Sequence, residues 1–278
     1  MSGMAKTLHD KVIVITGGAQ GIGARTAKAL VREGARVVIG DVDEARAEKT
    51  AGELGGETLA LRLDVTDTKA FTAFLDEVER RLGPIDVLIN NAGIMLLNPL
   101  EREDDEATSR QLDINLHAVI HGTKEAVRRM RPRARGHIVN VASQAGKVGF
   151  PGAATYCATK HAVVGLSEAV RQELRGSGVD ISCVMPTVVR THLADGLVET
   201  KLFKPVLPED VATAIVATIK EPKFDVFVPR SLDLTGRLGR IFPRSLAEWF
   251  MRTIGADKVF MQAHAGERAE YEAKVRHS

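Results

Sequence analysis

The sequence predicts an α/β fold: one doubly wound domain with a seven-stranded parallel sheet and helices on both faces. Two observations predict it. Short apolar runs alternate with amphipathic helical patterns from Val12 to Pro229. Glycine or proline punctuates several of the helix ends, as at Gly34, Gly55-Gly56 and Gly83-Pro84. Parallel strands need crossover helices, so this alternation implies parallel pairing.

The elements follow in order. Val12–Ile15 is the first strand and Ala24–Glu33 a helix stopped by Gly34. Arg36–Ile39 is the second strand, followed by the helix Asp43–Leu54. Thr58–Leu63 is the third strand, Lys69–Leu82 a helix and Asp86–Asn90 the fourth strand. Two long helical patterns come next, Asp104–Met130 and Thr155–Arg175, with strands His137–Ala142 and Asp180–Met185 around the second. Pro208–Ile219 reads as a helix with proline at its start, and Asp225–Pro229 as the last strand. The core thus spans about residues 8–230, and a helical extension covers about 231–278.

Composition narrows the function classes. The chain has 278 residues, 44% of them hydrophobic, enough for one large core. Its net charge of +2 gives no electrostatic reason to expect nucleic acid as a partner. Two cysteines exclude a disulfide scaffold and fit a reducing, cytoplasmic location. No metal site is read from the sequence, and no apolar stretch is long enough for a membrane span.

The first strand runs into Thr16-Gly17-Gly18-Ala19-Gln20-Gly21-Ile22-Gly23. Glycines let a backbone turn tightly and let a phosphate approach closely. The helix beginning there offers free N–H groups and the positive end of its dipole. Asp41 follows the second strand, eighteen residues after Gly23. A carboxylate there can accept hydrogen bonds from both hydroxyls of an adenine ribose and repel a 2′-phosphate. Position 20 is Gln20 rather than a cation, so both features favour NAD over NADP. The bland alternative for Asp41 is a solvated turn acid. Asp64-Val65 ends the third strand, where the carboxylate can meet an adenine amino group or simply cap a turn near Asp67. Asn90-Asn91-Ala92-Gly93 ends the fourth, and its small residues allow close backbone approach.

The chain contains two tyrosines, and only Tyr156 has a lysine four residues on, Lys160. On a helix these share a face. An ammonium beside a phenol lowers its pKa and suits it to proton transfer with an alcohol oxygen. Ser143 lies at a strand end thirteen residues before Tyr156, where a hydroxyl can bond a developing oxyanion. Asn115 sits inside a helical pattern, where asparagine is mildly unfavourable. Buried, it can hold a water and tilt the backbone.

Together these residues resemble the short-chain dehydrogenase/reductase family, specifically its single-domain Rossmann-type branch, over about residues 8–192. The resemblance implies that Gly17, Gln20, Gly21, Ile22, Gly23, Asp41, Asp64, Val65, Asn91, Ala92 and Gly93 bind NAD, joined by Pro186, Val189 and Thr191 beside the nicotinamide. It implies Tyr156 as general acid/base, Lys160 on the ribose hydroxyls, Ser143 on the carbonyl and Asn115 as holder of a relay water. The family usually has Pro-Gly where this chain has Pro186-Thr187, and its glycine-rich ending is missing. A homo-dimer through the two long helices is therefore expected in preference to the usual tetramer.

The expected reaction interconverts a secondary alcohol and a ketone on an apolar small molecule. His192–Pro205, with Leu193, Leu197, Val198, Leu202 and Phe203, is expected to cover the substrate, opposite Val148–Pro151. In the extension, Leu234, Leu238, Ile241, Phe242, Leu246, Trp249, Phe250 and Ile254 recur at helical spacing, split by Pro243. This predicts a helix packed on its own domain or a second subunit, ahead of membrane-surface contact or a lid over the substrate. The alternatives to an NAD-linked enzyme are an NADP-linked reductase and a non-catalytic NAD-binding scaffold.

Overall fold

Seven strands form one parallel sheet: β1 (Val12–Thr16), β2 (Arg36–Asp41), β3 (Leu59–Arg62), β4 (Val87–Asn90), β5 (Gly136–Val141), β6 (Val179–Pro186) and β7 (Asp225–Val228). Their spatial order is β3-β2-β1-β4-β5-β6-β7. The computed structural model describes residues 6–197, 205–231, 253, 258–261 and 265–277. The expected helical stripe of Leu234, Leu238, Ile241, Phe242, Leu246, Trp249, Phe250 and Ile254, its break at Pro243, and Val198, Leu202 and Phe203 lie outside the described residues.

Both faces of the sheet are covered. In β1, Val12 and Val14 join one apolar cluster while Ile13 and Ile15 join the other, and all four are buried. This is why the strand reads as an unbroken apolar run rather than an alternating one. Helices α1 (Gly21–Arg32), α2 (Glu44–Leu54) and α7 (Pro208–Lys220) cover one face. The other carries α3 (Thr68–Leu82), α4 (Asp105–Leu112), α5 (Ala118–Met130) and α6 (Ala154–Glu173). Asp43, Asp67 and Asp104 cap the starts of α2, α3 and α4 through their side chains.

The pattern read as one helix over Asp104–Met130 is in fact three pieces. Between α4 and α5 the chain makes a π turn, Asp113–His117. The apolar periodicity runs through it, so the sequence conceals the break. Asn115 lies fully buried within that turn. Its Oδ1 accepts the Ile94 N–H at 2.8 Å, and its Nδ2 donates to Ile94 O at 2.8 Å. The widened turn accompanies this inward amide, which satisfies backbone groups of another segment.

A second buried polar set fixes helices to the sheet. Asn90 Nδ2 donates to Asn140 Oδ1 at 2.8 Å and to Thr123 Oγ1 at 3.3 Å. Asn140 Nδ2 donates to Ser167 Oγ at 3.0 Å. β4, β5, α5 and α6 are thereby linked. Gly122 of α5 is required by this packing, since a Cβ there would lie 2.3 Å from Asn90 Oδ1.

Two short helices from the extension return to the carboxyl edge of the sheet: α8 (Lys258–Met261) and α9 (Ala265–His277). Val259 and Phe260 are buried in a cluster with Met95, Ala145, Tyr156 and Cys157. Val275 packs into the core. The described part of the extension thus packs on the domain, while the stripe for which packing was expected lies outside the described residues.

At the opposite edge, His137 is 4% exposed and pairs its Nε2 with Ser182 Oγ at 2.8 Å. Burial holds its pKa down at about 4, against an ordinary 6.5, with Asp180 opposing. The unfolded chain therefore binds this proton first as pH falls, and stability drops between pH 6.5 and 4. The expected loss from this residue is up to about 3 kcal/mol across that window. Urea denaturation at pH 7.5 and 4.5 measures it, and His137→Gln should remove that share of the acid sensitivity while leaving the carboxylate contribution.

Candidate active site

The glycine turn is packed against the end of β4. Thr16 Oγ1 accepts the N–H groups of Asn91 and Ala92 at 3.0 and 3.1 Å. Asn91 Nδ2 donates to Thr16 O at 2.9 Å and to Gly17 O at 3.0 Å. Gly17 has φ +63, and a Cβ on it would sit 2.8 Å from Ala92 Cα. A Cβ on Gly23 would stand 2.3 Å from Gly17 O. At the start of α1, Ala24 N–H donates to Gln20 O, and the Gln20 side chain does not cap the helix. The first-turn N–H groups of Gly21, Ile22 and Gly23 therefore have no intrahelical acceptor. A Cβ on Gly21 would meet Thr191 Cγ2 at 3.3 Å, so the loop after β6 lies across this helix start. Such a cradle fits a dinucleotide's pyrophosphate.

Asp41 reaches the same turn from β2. Its Oδ2 accepts the Ala19 N–H at 3.0 Å and its Oδ1 the Asp43 N–H at 3.1 Å. Burial pushes its pKa up, while the two backbone bonds pull it back. It is half-buried, not a freely solvated acid. The sequence reading overlooked Arg46, whose guanidinium donates to Gln20 Oε1 and lies 3.7 Å from Asp43 Oδ2. Asp64 holds its own turn, with Oδ1 accepting the Thr66 N–H at 2.9 Å and hydroxyl at 2.7 Å. Val65 is buried in the core beside it.

At the end of β5 three side chains converge. Ser143 begins a short 3₁₀ turn, and its Oγ accepts the Ala145 N–H at 3.1 Å. The same hydroxyl is close enough to the Tyr156 phenol to pull its pKa down. Ser143 thus caps the turn beside the phenol. The strand ends at Val141, two residues earlier than the serine. Lys160 is 5% exposed and points inward, its Nζ donating to Val141 O at 3.1 Å. The amine lies 5.7 Å from the Tyr156 ring centroid.

The electrostatics correct one expectation. The tyrosine pKa was expected to be lowered by its ammonium neighbour. Here burial dominates and raises it above the ordinary phenol value, with only the Ser143 hydroxyl pulling it down. Lys160 is meanwhile pushed down to about 8 by burial. The reason is geometric: the amine bonds a carbonyl rather than the phenol oxygen, and both groups are shut away from water.

Asn115 lies beside the amine. A methyl on Gly93 would stand 3.2 Å from Asn115 Oδ1 and 3.5 Å from Lys160 Nζ. The amide of Asn115 is committed to Ile94, with a longer contact of 3.4 Å to Thr159 Oγ1. Pro186 ends β6 and pairs with Val228 of β7. Val189 is buried and bridges Val206, and Thr191 faces Gly21. All these positions lie along the carboxyl edge of the sheet, where the strand order reverses between β1 and β4.

The sequence reading also missed Met95, Arg268 and Tyr271. Tyr271 lacks a lysine four residues on, so nothing local marked it. Its hydroxyl accepts the Met95 N–H at 3.0 Å.

Known proteins resemble this chain in sequence and in shape. A family model described as short chain dehydrogenase matches residues 11–202. A 3-alpha-(or 20-beta)-hydroxysteroid dehydrogenase of Mycobacterium bovis is 35% identical, over 77% of this chain and 84% of its own. A galactitol 2-dehydrogenase of Agrobacterium fabrum is 39% identical, over 66% of this chain and 72% of its own. The crystal structure of a short chain dehydrogenase/reductase from Burkholderia phymatum in complex with NAD superposes with a TM-score of 0.78 at 28% identity. That match covers 84% of this chain and 94% of the other.

The cradle makes a checkable demand. Gly23→Ala forces a methyl onto a carbonyl oxygen and should cost at least about 2 kcal/mol in urea denaturation. It should also weaken NADH binding at least about tenfold by fluorescence titration. Gly52→Ala is the control, because a Cβ at that helical position meets nothing within 4 Å. It should leave NADH affinity unchanged and stabilise the fold by about 0.5–1 kcal/mol.

Proposed function

This chain belongs to the short chain dehydrogenase family, and from that premise we propose that it is an NAD-linked enzyme interconverting a secondary alcohol and a ketone on an apolar small molecule. One observation carries the reading. Gly17 packs on Ala92, and the adjoining Gly93 faces Lys160 Nζ and Asn115 Oδ1. The phosphate cradle and the buried amine are therefore joined through three small residues, Gly17, Ala92 and Gly93.

A bound nicotinamide dinucleotide supplies the acceptor or donor of a hydride. The chain's own groups handle the oxygen and its proton. In reduction, Tyr156 donates its phenolic proton to the carbonyl oxygen as negative charge develops there. In oxidation the Tyr156 phenolate oxygen takes the proton back from the alcohol. Ser143 Oγ, beside the phenol, can share the substrate oxygen and polarise it. Lys160 lies on the same helix face, where its amine can hold ribose hydroxyls. Gly17, Gly21, Ile22 and Gly23 would hold the pyrophosphate, with Gln20 beside them. Asp41, Asp64 and Val65 would bind the adenosine, together with Asn91, Ala92 and Gly93. Pro186, Val189 and Thr191 would hold the nicotinamide. Asn115 keeps a relay from Lys160 towards solvent.

Asp41 supports NAD through its charge beside the glycine turn. Arg46 favours the second reading, an NADP-linked reductase, because its guanidinium already reaches Gln20. We assign NAD on the ground that the Asp41 carboxylate is bonded to the backbone of the turn at Ala19, whereas Arg46 reaches the Gln20 side chain. Titrating NADH and NADPH decides the matter. NADH should bind at least about tenfold more tightly, and tighter NADPH binding would reverse the assignment.

The two cysteines are free and buried, which suits a cytoplasmic setting. A homo-dimer through the α4–α5 and α6 helices is the expected assembly.

Tyr156→Phe tests the chemistry against a scaffold role. With a panel of ketones and alcohols, kcat should fall about 10³-fold while the NADH dissociation constant stays within about twofold. Wild-type protein that binds NADH but shows no Tyr156-dependent turnover in either direction would mark a binding scaffold.

A further inference from the structure

Arg268 of α9 is 3% exposed, and its guanidinium makes four donations. Nη2 donates to Met95 O at 2.7 Å. Nη1 donates to Asp195 O at 2.9 Å and Leu193 O at 3.3 Å. Nε donates to Glu272 Oε1 at 3.1 Å, which partners the charge. Met95 belongs to the loop after β4, and Leu193 and Asp195 to the loop after β6. One side chain therefore ties together the two loops that flank Tyr156. Tyr271 completes the tie by accepting the Met95 N–H, so α9 takes up both backbone polar groups of that residue. The Arg268 guanidinium rests 5.3 Å from the Tyr271 ring centroid.

Below this tie the surroundings of Tyr156 are apolar. Met95, Phe260 and Val259 are buried in its cluster, with Phe150 and Leu193 packed at the edge. The Phe150 and Phe260 rings meet at 5.0 Å between centroids, tilted by 50°. Met261 follows directly, and a Cβ on Gly152 would be 3.2 Å from its Sδ. The segment after Ser143 and the one-turn helix α8 thus form a single aromatic wall.

We propose that the α8–α9 extension is part of the substrate site. Arg268 and Tyr271 are positioning residues that set the gap between the two loops. Phe150 and Phe260 select a ring-bearing apolar alcohol or ketone over an open-chain polyol. This rests on the oxidoreductase reading above for its chemistry, but not for its geometry. A planar five-donor fork can satisfy carbonyls from two loops at once, whereas an ammonium on a flexible stem cannot reproduce that arrangement.

The test uses the full chain with NADH bound, as wild type, Arg268→Lys, Tyr271→Phe and Phe260→Ala. Amide hydrogen exchange reports the tie without requiring turnover. In Arg268→Lys, exchange across residues 93–97 and 190–197 should rise about tenfold. In Tyr271→Phe the rise should centre on the Met95 amide, which keeps the test open if Arg268→Lys fails to fold. NADH affinity should stay within about twofold in all variants. The KM for a two-ring ketone should rise about fivefold in Arg268→Lys and Phe260→Ala, while that for an open-chain keto sugar moves less than about twofold. Unchanged exchange in both loops, or equal KM changes for the two ketones, would overturn the proposal. A wild type that turns over neither ketone nor any other alcohol would instead refute the oxidoreductase reading, with the exchange result still standing by itself.

Discussion

A lysine amine sealed almost completely from water, with a carbonyl oxygen 3.1 Å away, is the constraint around which this protein is arranged. Burying an ammonium is unfavourable unless its surroundings compensate. Here the end of β5 presents the Val141 carbonyl, α6 supplies the lysine, and Gly93 leaves room beside its nitrogen. The π turn follows from the same crowding, since Asn115 must lie inward to engage Ile94 next to that amine. An uninterrupted helix would keep every backbone bond regular and would not give the same placement. Regularity of one helix has been exchanged for order around one nitrogen.

Burial acts on the two key groups in opposite senses. It favours the neutral phenol of Tyr156 and the neutral amine of Lys160. Neither shift has a charged partner as its main cause. The protein alone therefore keeps the phenol protonated, the form in which it can serve as an acid. Ser143 is the one neighbour that draws the phenol back towards ionisation.

The sheet was legible because parallel strands buried on both faces must be apolar throughout, and Val12–Ile15 or Val37–Ile39 leave little else to consider. The cradle was legible because glycine is needed where backbones touch, as Gly17 and Gly23 do. The π turn was hidden, since Ile114, Ala118 and Val119 keep the apolar rhythm across it. The direction of the Tyr156 shift was hidden too. Spacing along a helix shows that two side chains share a face, but not which atom the amine will bond. Arg268 and Tyr271 were out of reach for a further reason. Their partners, Met95 and Leu193, are more than seventy residues away in the chain, and those bonds are to backbone, which carries no residue-type signature.

The absence of a side chain at position 122 has its own meaning for how this architecture can vary. The amide of Asn90 occupies the space a methyl would fill, so the route of α5 over the sheet is dictated by a polar contact at a single point. Grease elsewhere along that helix can be exchanged for other grease of similar bulk. Position 122 cannot drift alone, because even alanine there would require β4 to surrender its asparagine in the same step.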